Sequence, residues 1–100
     1  MKPYVLVPAA QRDLSSIWDY TLDVWGAAQA ELYIDDLRDG IEKIAADPSR
    51  GRRCDDIREG YRRYSVRSHI VFYRERSDAI IVVRVLHKRM DVWQHVGVAE

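Results

Sequence analysis

One hundred residues can bury one modest core and no second, and a content of 47% hydrophobic and 32% charged residues excludes a disordered chain. The formal charge is zero, yet residues 1–47 carry four cations against nine acids, and residues 48–100 carry twelve against seven. The expected surface is therefore bipolar, its basic half either facing an acidic partner or nucleic acid or offset by the acidic half. One cysteine, Cys54, excludes an internal disulfide and a cysteine-type metal site, and no stretch reaches the ~18 apolar residues of a membrane span, so a cytoplasmic protein with no membrane contact is expected.

In chain order, Tyr4-Val5-Leu6-Val7 is a short β-prone run closed by Pro8. Leu14, Ile17, Trp18, Thr21, Leu22 and Trp25 then recur at helical spacing, and Gly26 can end that helix. Trp18 and Trp25 sit on its apolar stripe and read as core. A second helix is expected from Ala27, with Ile34, Leu37, Ile41, Ile44 and Ala45 on one side and Glu31, Asp35, Asp36, Asp39 and Glu42 on the other. Gly40 interrupts the stripe, and Asp47-Pro48 ends it, because a residue before proline avoids the α region. Residues 48–60 read as a charged loop. The period then becomes two in "YRRYSVR", "HIVFYRE" and "AIIVVRVLH", which predicts an antiparallel meander whose last strand is central and apolar on both faces. Residues 89–96 have the spacing of a short helix, with Asp91 as a local cap. The expectation is one domain over 1–100, α+β: a helical hairpin packed on an antiparallel sheet of three to four strands, with a short C-terminal tail or helix.

The chemistry that this pattern offers is cationic. His69, His87 and His95 lack metal-ligand spacing, and the phosphate-binding glycine loops and the nucleophile elbow are absent. Arg62, Arg63 and Arg67 share one strand, Arg84 sits in the last, and His87, Lys88, Arg89 and Met90 follow as it ends. Guanidinium groups clamp phosphates, and a histidine among them can shuttle protons, which is the outline of a metal-free endoribonuclease using Arg63, Arg67, Arg84 and His87. The same arginines serve equally to solvate a sheet face or to pair with a partner's acids, and without a second acid–base residue these non-catalytic roles are favoured. Trp93 either packs the tail on the sheet or anchors a partner.

Three stretches carry a family resemblance: "DLSSIWDYT", "GYRRYSVRSHIVFYR" and "VRVLHKRMD". With the order of elements, they resemble the ParE toxins of type II toxin–antitoxin modules, within the RelE/ParE superfamily, over nearly the whole chain. The resemblance implies a toxin that poisons DNA gyrase without catalysing a reaction and without a cofactor or metal. It implies a ParD-type antitoxin that wraps the toxin and alone makes the operator DNA contact. RelE- and YoeB-like relatives instead cut messenger RNA on the ribosome, and Arg63 and His87 match the positions of an arginine and a histidine in them. Lys88 stands where such a ribonuclease carries its tyrosine, and no tyrosine follows Tyr73. The expected surface for the target or the antitoxin comprises Arg62, Arg63, Arg67, His87, Lys88, Arg89, Met90 and Trp93.

Overall fold

The computed structural model describes residues 3–90. Strand β1 (Tyr4–Leu6) leads into helices α1 (Pro8–Trp25) and α2 (Ala27–Ala46), then a 3-10 turn at Pro48–Arg50. Strands β2 (Arg52–Arg53), β3 (Tyr61–Val66), β4 (His69–Arg76) and β5 (Ala79–His87) follow. Pro8 opens α1, where its missing N–H costs nothing and its fixed φ suits a first turn. The two helices are joined by Gly26 alone, at φ 92° and ψ 172°, a backbone region essentially reserved for glycine. The tail helix expected over 89–96 and the cap at Asp91 fall outside the described residues.

The sheet order is β1-β5-β4-β3-β2. The meander is antiparallel as expected, but the sheet has five strands and is mixed. β1 runs parallel to β5, with Tyr4 opposite Ile80 and Leu6 opposite Val82. The charged loop also supplies a strand: Arg52 and Arg53 pair with Arg63 and Arg62. Such pairing needs only backbone groups, so the polar side chains of the loop gave no sign of it.

The helical hairpin covers one face. Ala10, Ile17, Leu37, Ile41, Ile44 and Ala45 pack on Val71, Tyr73, Ile80, Val82 and Val85. The opposite face carries a smaller cluster of Cys54, Tyr61, Phe72, Ile81, Val83 and Leu86. β5 therefore buries both its faces, as its unbroken apolar run requires. Each fully buried branched or aromatic side chain contributes about 1.5–3 kcal/mol. Trp25 departs from the expectation: it is 68% exposed. The buried row Ala10, Ile17, Thr21 stops one turn short of it, where Gly26 turns the chain.

β5 is not regular. Phe72 opposes Arg84 while Tyr73 opposes Val82, so Val83 is an extra residue and the ladder bulges there. The helices also approach the sheet closely. A Cβ on Gly40 would lie 2.5 Å from Val66 Cγ2, so the glycine that interrupts the α2 stripe is where α2 meets β3.

Candidate functional site

The β3–β4 turn and the end of β5 meet at one end of the sheet. Val66 pairs with His69, leaving Arg67 and Ser68 as a two-residue turn, and Lys88 N–H donates to the Ser68 carbonyl at 2.9 Å. Arg67 takes a positive φ of 52°, uncommon for a residue with a side chain. Two contacts hold it there: an ion pair to Asp36 of α2, and its guanidinium lies 5.7 Å from the centre of the Tyr33 ring. Beyond His87 the chain folds back, with Arg89 N–H donating to His87 Nδ1 at 3.1 Å and Met90 N–H to the His87 carbonyl at 3.0 Å.

His69 and His87 are cross-strand partners, their rings edge to face with centroids 5.2 Å apart. Tyr33 accepts from Ser68 N–H at 3.1 Å, and its hydroxyl is hydrogen-bonded to His69 Nδ1 at 2.6 Å. Burial first, and then the neighbouring His87, pull the His69 pKa down to about 4, with Asp13 opposing. His69 is thus neutral at pH 7. The histidine pair is a packed, hydrogen-bonded unit, and the positive charge at this end of the sheet comes from Arg67, Lys88 and Arg89.

Two cavities share His87 and Lys88. One is an open cup of about 360 Å³ lined by Arg67, Ser68, His87, Lys88 and Arg89. The other is a slot of about 100 Å³ lined by Arg63, Ile70, Phe72, Leu86, His87, Lys88 and Met90. Arg63, Arg67, His87, Lys88, Arg89 and Met90 are therefore brought together. Arg62 is directed elsewhere, donating to the Gly51 carbonyl at 2.8 Å, and Trp93 lies outside the described residues.

Arg84 is also drawn away from the cup. Its Nε and Nη2 donate to the two carboxylate oxygens of Asp13 on α1, at 2.7 and 2.8 Å. Asp13 Oδ2 also accepts from Val85 N–H at 2.9 Å. The bulge disturbs the ladder next to Val85, and Asp13 accepts the N–H there. This bidentate pair, with side chains 16% and 13% exposed, fastens α1 to β5. Tyr33, Asp36, His69 and Asp13 all shape this end of the fold; in the sequence His69 figures only as a candidate metal ligand and Asp36 only as a solvated acid, and none of the four has a place in the expected site.

A second region lies on the helical side. Leu14 and Trp18 of α1, with Ile34 and Arg38 of α2, line a groove running to Tyr4 and Leu6. It opens beside β1, the sheet's edge strand. At the other edge, β2 pairs only with Arg62 and Arg63, so no described strand covers the outer side of β3 beyond them. Among the described residues no group of His, Cys, Asp and Glu could hold a metal ion, and no helix is long and apolar enough to cross a membrane.

A helical hairpin laid on a mixed sheet, with a basic cup at one sheet end and an apolar groove beside an edge strand, is the build of a small binding protein. The family model for the ParE toxin of the type II toxin–antitoxin system, parDE, matches residues 4–92, and the chain belongs to that family. It is 54% identical over 90 residues to Toxin ParE1 of Mycobacterium tuberculosis, covering 89% of this chain and 92% of that protein. It is 42% identical over 97 residues to Toxin ParE1 of Caulobacter vibrioides, covering 97% of this chain and 100% of that one. A chain of the chromosomal ParDE system from P. aeruginosa has the same fold, with a TM-score of 0.75, 17% identity, and coverage of 87% and 96%.

Proposed function

We propose that this ParE-family toxin acts in the cytoplasm on DNA gyrase, blocking replication as a binding protein and not as an enzyme, and that a cognate ParD-type antitoxin neutralises it. The observation that carries this reading is the family match over residues 4–92. The sheet end agrees with it. His69 is neutral and bonded to Tyr33, Arg84 is bound to Asp13, and Lys88 stands where a ribonuclease relative has its tyrosine. An acid–base pair for attack by a 2′-hydroxyl is thus incomplete. The groove beside β1 suits an amphipathic antitoxin helix, and the β1 edge suits an added strand. Operator contact belongs to the antitoxin.

Expression of the toxin without its antitoxin tests the reading. Growth arrest with induction of the DNA-damage response is expected, with unchanged transcript 5′ ends by primer extension. Arrest with new codon-phased 5′ ends and no DNA-damage response would establish the endoribonuclease instead, with His87→Ala abolishing the cuts.

A further inference from the structure

The basic cup is built for an anion that accepts from several directions. Arg67 enters from the turn, while Lys88 and Arg89 enter from the end of β5. Arg67 already has Asp36, but Lys88 and Arg89 are exposed and have no ion-pair partner among the described residues. The backbone that presents them is fixed in advance. Lys88 is tied to Ser68, Arg89 to the His87 ring and Met90 to the His87 carbonyl. Such fixing lowers the ordering cost of binding. The neutral His69 beneath adds no charge. The adjoining slot is walled mostly by Ile70, Phe72, Leu86 and Met90, but Arg63 and Lys88 stand on it, so positive charge follows a path longer than one anion.

We propose that this cup and the slot beside it seat successive backbone phosphates of nucleic acid, with Lys88 and Arg89 as the main donors and Arg67 and Arg63 flanking them. A carboxylate offers its two oxygens in one plane, as Asp13 does to the Arg84 fork and Val85 N–H, whereas the tetrahedral oxygens of a phosphodiester can meet cations arriving from two strand ends. The cup is open and lined by three cations, the His87 ring and a turn serine, a lining suited to backbone phosphates, whose contacts carry no sequence information. This inference is separate from the gyrase reading, since it concerns the toxin alone.

Fluorescence anisotropy with a labelled 12-nucleotide DNA, and with the RNA of the same sequence, tests it across a salt series in the absence of gyrase. The wild-type chain is expected to bind with a slope of log K against log salt near about −2, since each phosphate neutralised on a single strand contributes about −0.7. Lys88→Gln/Arg89→Gln should lower affinity at least tenfold at low salt and flatten the slope by about 1.4. Arg50→Gln/Arg76→Gln loses the same net charge on other exposed segments and should leave both nearly unchanged. The DNA and RNA arms identify which nucleic acid is the better ligand. Equal effects of the two double variants, or no effect of either when thermal melts show both folded, would overturn the proposal. So would displacement of the oligonucleotide by poly-aspartate as efficiently as by unlabelled oligonucleotide at equal charge, because the cup would then serve a protein's acidic segment.

Discussion

Asp13 serves three donors at once, two from Arg84 and one from Val85 N–H. Removing it takes two charge-assisted bonds from a largely buried guanidinium and the acceptor from a ladder N–H, and the loss of one partner costs far more than the pair contributes. Asp13→Ala should destabilise the fold by about 3 kcal/mol in urea unfolding, and Asp13→Leu/Arg84→Met should recover a substantial part. His69 makes a different prediction, about pH. Its native pKa of about 4 lies below the ordinary histidine value of 6.5, so between those limits the unfolded chain binds a proton that the native ring refuses. The contribution of His69 is complete above about pH 6.5, falls as pH drops, and levels off below about pH 4. After discounting for partial solvent access, the drop is roughly 2 kcal/mol. The variant His69→Asn keeps an acceptor for Tyr33 and cannot titrate, so its stability should fall by that much less than wild type from pH 7 to pH 4.

At the scale of elements, two glycines fix the hairpin for different reasons. Gly26 has nothing within 4 Å of a built Cβ, but its φ of +92° is unfavourable to any side chain. Gly40 has an ordinary helical backbone and no room, with Val66 Cγ2 at 2.5 Å. Gly26→Ala should cost about 1–2 kcal/mol through conformation alone. Gly40→Ala should cost about the same, overpacking outweighing a gain in helix propensity of about 0.8–1 kcal/mol. Pairing Gly40→Ala with Val66→Ala should restore part of the second loss and none of the first, read as shifts in melting temperature.

The elements themselves were legible in the sequence, because apolar spacing follows the period of each element: both helices and the three long strands, the doubly buried β5 among them, stand where that spacing put them. The parallel docking of β1 was not, since a three-residue strand carries no direction. The site was legible in part. Arg67, His87, Lys88 and Arg89 do converge, but Arg84 does not join them. Counting outward from the Arg76–Ala79 pair puts His69 opposite Leu86. The extra residue at Val83 moves its partner to His87. A bulge leaves no mark on hydrophobic periodicity where both faces of a strand are buried, so the histidine pair and the Asp13 bond could not be read from spacing.

For the molecule as a whole, the separation of charge along the chain becomes a separation in space. The acids of α1 and α2 lie on the hairpin, and Arg63, Arg67, Lys88 and Arg89 gather at one sheet end, while Arg62 and Arg84 are bonded elsewhere. On the proposed function, the hairpin groove and β1 edge are assigned to the antitoxin, which leaves the cationic sheet end free of it. On this arrangement Ile34→Glu, at a half-exposed groove position, should weaken antitoxin binding in a pull-down while leaving growth arrest intact.

Purified gyrase tests the central claim most directly. Plasmid supercoiling should be lost as toxin is added, with linear, cleaved DNA trapped on addition of detergent, and prior addition of the antitoxin should prevent both. Unimpaired supercoiling and no cleaved DNA at a large molar excess of folded toxin would contradict the account.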